Sequence, residues 1–186
     1  QATLSAMTPQ QADALIKTLR TPNLSLPQFG QVHDIASGKF VPYSPTRITR
    51  TLQQDILDYH SAPPRTPSGH TRWFTILASR QVGKSTCSDM AAYPLAAYSP
   101  GWDHVTIADN RERADYLHKR VHHLHLRWPE ALRTPTVSQR ESRQLTFDPL
   151  HGGRMRVLSA ESGAVGVGQS PDSFHASECH LWSDFE

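Results

Sequence analysis

Residues 78–86 read Ala78-Ser79-Arg80-Gln81-Val82-Gly83-Lys84-Ser85-Thr86. They fit the phosphate-binding pattern G-x-x-x-x-G-K-[ST], with Ala78 where the first glycine usually stands. The chemistry needs these residue types. Gly83 lets the backbone turn tightly and approach phosphate oxygens. The N–H groups along Ser79–Thr86 point at the bound anion, at the positive end of the helix that follows. In this pattern Lys84 would reach the β- and γ-phosphates of a nucleotide, and Ser85 would ligate magnesium. Arg80 is placed either to touch the γ-phosphate or to face solvent. Glu178, one of only six glutamates in the chain, follows the last strand candidate. An α/β sheet opens its ligand crevice at such a strand end. There the carboxylate would orient and activate the water that attacks the γ-phosphate.

A bare Gly-Lys-Ser is common, so the weight comes from the elements that hold it. Trp73–Ala78 is a short apolar run of the kind that forms a buried strand, and a helix is expected from Lys84 to Ala97, with Pro94 bending or shortening it. His104–Ala108 is a second strand. Asn110 caps a helix that runs to Arg127. Residues 144–147 and 155–158 alternate around His151-Gly152-Gly153 as a hairpin. Residues 173–177 form a last strand. Ahead of this, Thr8, Pro9 and Gln11 make a capping box for a helix over residues 8–20. Residues 21–46 read as loop, broken by Pro22, Pro27, Pro42, Pro45, Gly30 and Gly38. A short helix spans 47–60 and a proline-rich connector spans 61–70. Alternating strands and helices predict an α/β domain with a mostly parallel sheet flanked by helices, over residues 47–186, preceded by a helical and loop-rich segment, 1–46.

Composition narrows the classes further. The 186 residues carry 19% charged and 37% hydrophobic side chains, which supports one ordinary core and excludes a disordered chain. No stretch approaches the roughly 18 apolar residues of a membrane span. The first residues lack a basic and an apolar region, so no secretory signal is expected. Lys plus Arg total 19 against 17 acidic residues, and four of the 19 are Lys. The arginine bias suits phosphate contact, yet a net charge of +2 does not establish nucleic-acid binding. Cys87 and Cys179 are the only cysteines. Two make neither a disulfide scaffold nor a four-cysteine zinc site, and they read as buried thiols in a reducing compartment.

Ser79-Arg80-Gln81-Val82-Gly83-Lys84-Ser85-Thr86 resembles the Walker A loop of phage large terminases, the motors that package viral DNA. The likeness extends over residues 46–186. Leu52–Leu57 resembles the segment whose glutamine contacts adenine, with Gln53 at the matching position. Ile107-Ala108-Asp109 and the following helix resemble the second strand and helix of the ATPase core. Ser173–Cys179 resembles the Walker B stretch. The resemblance implies a RecA-like P-loop core of the additional-strand (ASCE) type, incomplete after Walker B. It implies ATP and Mg2+ as ligands, and Lys84, Glu178 and Arg80 as catalytic residues. It further implies double-stranded DNA, portal protein and a small terminase subunit as partners, a homo-oligomeric ring as the working form, and the host cytoplasm as location. Three departures accompany it. The acidic pair Asp-Glu is here Ser177-Glu178, so Ser177 would reach the metal only through water. Val167-Gly168 stands where an arginine offered to a neighbouring subunit is usual. The Walker B strand is less apolar than usual.

Two further clusters stand out by residue type. His118, His122 and His125 recur at helical spacing, which suits either a metal site or, better, a polar helix face. Arg111, Arg113, Lys119, Arg120, Arg127, Arg133, Arg140, Arg143, Arg154 and Arg156 could grip a DNA backbone or form a solvated face. Two alternatives stay open beside a packaging motor: a helicase-like P-loop ATPase, and a nucleotide- or DNA-binding module that does not hydrolyse.

Overall fold

A computed structural model describes residues 7–34, 39–43, 50–62, 75–76, 84–138, 143–162 and 170–179. The chain opens on helix α1 (Pro9–Arg20), capped as its sequence predicts: the Gln11 N–H donates to Thr8 Oγ1 and the Thr8 N–H donates to Gln11 Oε1. The stretch expected to be loop instead holds helix α2 (Pro22–Phe29) and an antiparallel pair, β1 (Gln31–Asp34) and β2 (Lys39–Pro42). The prolines hid both elements. Pro22 occupies the first turn of α2, where a missing N–H costs nothing, and Pro27 lies in its last turn, where little helix remains to be broken.

Helix α3 (Arg50–Ser61) and helix α4 (Lys84–Tyr98) follow. Of the expected strand at 73–78, only Thr75 and Ile76 are described, and they have no regular structure. The remainder of that strand lies outside the described residues. From Cys87 to Tyr98, α4 is buried almost all round, which makes it the central helix. It runs through Pro94, because the burial of Pro94 and its neighbours outweighs the one backbone bond given up. Leu19, Leu26, Ile56 and Leu57 from α1, α2 and α3 share one apolar cluster with α4.

Strand β3 (Asp103–Ala108) leads to helix α5 (Arg111–Arg127), whose Asn110 Oδ1 accepts from the Arg113 N–H as the sequence predicts. Then come β4 (Thr136–Ser138), β5 (Gln144–Phe147), β6 (Arg154–Ser159) and β7 (Ser173–Ala176). The sheet order is β4-β5-β6-β3-β7. The α/β expectation holds. The sheet, however, is mixed: β3 is parallel to β6 and to β7, whereas β4/β5 and β5/β6 are antiparallel. The short turn after Phe147 is the cause, since a connection that brief can only return the chain antiparallel. Its glycines are required by close approach. A Cβ on Gly153 would lie 1.9 Å from the Trp102 carbonyl oxygen, and one on Gly152 would lie 2.6 Å from that of Ala97. The Gly153 N–H instead caps α4 by donating to the Ala96 carbonyl at 2.7 Å.

Candidate functional site

Two chain segments far apart in sequence meet beside β7, the outermost strand on that side among the described residues. Lys84 and Ser85 begin α4. On the other side β7 ends, and the Ser177 N–H extends its pairing with β3 by donating to the Ile107 carbonyl at 2.9 Å. Ser85 Oγ and Ser177 Oγ stand 3.3 Å apart, although the residues are 92 positions apart in the chain. Lys84 Nζ lies 3.2 Å from Glu178 Oε1, and both side chains are mostly buried. Glu178 also has φ 54°, in the left-handed region that side chains other than glycine adopt at a cost. The chain therefore turns sharply as it leaves β7, and the turn brings Glu178 to the first residue of α4.

Lys84, Ser85, Ser177 and Glu178 are thus brought together. Ser79, Arg80, Gln81, Val82 and Gly83 lie outside the described residues, so their part in the loop remains a sequence reading. Thr86 is the third residue of α4 and is half-buried. Gln53 is buried on α3. Its side-chain oxygen accepts from Tyr43 Oη at 3.5 Å, and its backbone carbonyl accepts from Cys87 Sγ at 3.6 Å. Gln53 is therefore tied to the flank of α4, one turn beyond Lys84. Burial pushes the Cys87 thiol up to about 11, so it stays protonated and unreactive.

Behind this meeting point runs a polar seam that no motif announced. Asp89, wholly inside α4, accepts from Thr106 Oγ1 at 3.0 Å and from His175 Nδ1 at 2.9 Å. Burial alone would raise the Asp89 carboxyl. The hydrogen bond and charge of His175, with Arg120 adding to them, outweigh that and hold it below its ordinary range. Burial pushes His104 down to about 3, so its ring is neutral. The direction of every bond then follows. Thr106 gives its only hydroxyl proton to the carboxylate, so it accepts from His104 Nε2 at 3.0 Å. His104 Nδ1 in turn accepts from Ser173 Oγ at 2.7 Å, and Ser173 Oγ accepts from Trp102 Nε1 at 3.2 Å. The chain of donors runs from Trp102 through Ser173, His104 and Thr106, and ends on Asp89. Its sequence traces were a lone acid, Asp89, just ahead of the apolar Met90–Tyr98 stretch of α4 and a histidine, His175, at an inward position of β7.

The other clusters resolve differently from their sequence readings. His118 and His122 stack at 6.2 Å on α5, but His125 turns inward. Its Nδ1 meets Tyr93 Oη at 3.1 Å, and burial lowers it to about 4. The three therefore share neither one polar face nor one metal position, and among the described residues no three His, Cys, Asp or Glu side chains are grouped to hold a metal. Several of the basic residues have acidic partners within the chain. Arg154 and Arg156 both bind Asp103, at 2.9 and 2.5 Å, and Arg143 binds Asp115 at 2.6 Å. No described helix is long and apolar enough to cross a membrane. No family model and no curated protein matches this chain.

Proposed function

We propose that the chain is the nucleotide-hydrolysing part of a DNA motor of the phage large-terminase kind, built on a RecA-like P-loop core. The observation that carries this reading is the convergence of Lys84 and Ser85 with Ser177 and Glu178. A chance Gly-Lys-Ser in a surface loop has no reason to meet a strand-end glutamate. The sheet supports it as well. The strand that follows α4 pairs in parallel with β7, whose end carries Glu178, which is the neighbourhood a P-loop helix and a Walker B strand require.

Each side chain then has a role. The Lys84 ammonium, at the N-terminus of a 15-residue helix, offsets phosphate charge together with the helix dipole. Glu178, its carboxylate oxygen 3.2 Å from that ammonium, would accept the proton of the attacking water. The hydroxyl of Ser85 is a hard oxygen donor that fits magnesium, and that of Ser177, 3.3 Å away, would hold the ion through a water. Being uncharged, the two hydroxyls leave most of the ion's coordination to phosphate and water. Bound there, the ion would neutralise charge on the phosphates. Gln53, through its link to α4, is the candidate adenine contact, and Arg80 the candidate γ-phosphate contact. Double-stranded DNA, a portal protein, a small terminase subunit, a ring of copies and the host cytoplasm complete the proposal.

The direct test is ATP turnover with magnesium by the full-length protein, with and without DNA. Lys84→Ala should lower turnover by about 10²–10³-fold, the scale for removing one preorganised charge-stabilising donor, with the fold intact by circular dichroism. Undiminished turnover in that variant would refute the assignment.

A further inference from the structure

The two halves of the candidate site sit on different elements, α4 and β7, and something must fix their separation. Asp89 and His175 bridge those two elements. Asp89 lies five residues into α4 from Lys84. His175 lies on the helix-facing side of β7, one alternation before Ser177. Their bond is short, 2.9 Å, and Asp89 is fully buried. Asp89 Oδ1 also takes the Thr106 hydroxyl, which anchors the pair to β3, the strand against which β7 is registered through Thr106 and His175.

We infer that Asp89 and His175 are positioning residues, a clamp that holds the helix bearing Lys84 and Ser85 against the strand end bearing Ser177 and Glu178. The inference rests on the hydrolysis reading for its consequence, but the geometry stands apart from it. A bond between α3 and α4 would steady the helix without setting its distance from β7. A bond between β3 and β7 alone would steady the strand without placing the helix. The Asp89–His175 contact acts on the one distance the site depends on. A misplacement of about 1 Å in such a constellation costs on the order of 10²-fold in rate.

The test compares His175→Ala, His175→Asn and His104→Gln in the full-length protein. An asparagine amide N–H can stand where Nδ1–H stood, so His175→Asn should restore what His175→Ala loses. His104→Gln keeps a donor toward Thr106 and gives up the Ser173 link, so it perturbs the same buried seam without opening the clamp. His175→Ala should lower kcat by at least about tenfold and change the affinity for a fluorescent ATP analogue less than threefold. His104→Gln, at a comparable loss in melting temperature, should keep its kcat. A second readout needs no nucleotide. With Ser85→Cys and Ser177→Cys introduced together, the rate of disulfide formation between them is followed by mass spectrometry of the linked peptides. His175→Ala should slow that link several-fold, and His175→Asn should restore it. If cross-linking is as fast in His175→Ala as in its parent, the clamp is wrong. If cross-linking slows while the unmodified protein turns over no ATP, the clamp stands and the hydrolysis reading falls.

Discussion

The two ends of helix α4 are built from opposite materials. Its first turns face Glu178, Ser177, His175 and Thr106, and Asp89 is held there by directed hydrogen bonds. Its last turns enter an aromatic cluster. Tyr93 packs on Trp128 at 5.1 Å and on Phe147 at 5.8 Å, and Trp128 meets Phe29 and Tyr98. Alanines at 91, 92, 96 and 97 let neighbouring backbone come close. The contrast separates two tasks. Aromatic burial is strong and tolerant of direction, so it keeps the helix in place. Directed bonds to a carboxylate add less to stability but fix relative position.

The largest effect that would sharpen this contrast is on stability. Trp128→Ala should cost about 3–5 kcal/mol in chemical denaturation, since it empties the centre of the aromatic cluster. Lys84→Ala should leave the denaturation midpoint almost unchanged while removing turnover. If the two variants lost stability equally, the division between the ends of α4 would be broken.

Acid is the next lever. In the folded protein His104 is lowered to about 3 and His125 to about 4, while an unfolded histidine titrates near the ordinary 6.5. Below pH 6.5 the unfolded chain takes up protons that the folded protein refuses. Stability is therefore full above that pH and falls as pH drops toward 4. Each histidine contributes up to about 1.4 kcal/mol per pH unit in that window. His125→Gln, which can still reach the Tyr93 hydroxyl, should flatten the pH dependence of the melting temperature between pH 6.5 and 4.5. An unchanged slope would show that His125 is not held neutral.

The smallest effect concerns backbone strain. Glu178 sits at φ 54°, and glycine adopts that conformation freely. Glu178→Gly should raise stability by roughly 0.5–1 kcal/mol and abolish turnover, so that the strained turn is maintained for position rather than stability. A loss of stability on that substitution would show that the contact with Lys84 outweighs the strain.

Local chemistry was legible in the sequence wherever a short pattern carried it. The Thr8 box, the Asn110 cap and the hairpin around Gly152 and Gly153 formed where their residues specify, because each depends on neighbours a few positions away. The types and order of Lys84, Ser85, Ser177 and Glu178 suggested a site, and folding brings those four together. What depended on packing was hidden. Arg154 and Arg156 read as a basic surface until Asp103, some fifty residues earlier, appeared between them. His125 read as part of a polar stripe, although its position on α5 points at Tyr93. Asp89 and His175 became meaningful only once α4 lay across β3 and β7. Prolines concealed α2 and the first strand pair, since a helix start tolerates proline as readily as a loop does.

The proposed pairing of Glu178 with Lys84 makes them two halves of one hydrolytic site. It is tested most directly by Glu178→Gln in the full-length protein, with ATP binding and turnover measured on the same sample. Binding should stay within about threefold of the parent and turnover should fall by about 10²-fold or more, the scale of a positioned acid–base group. Turnover that persists at the parental rate would contradict it.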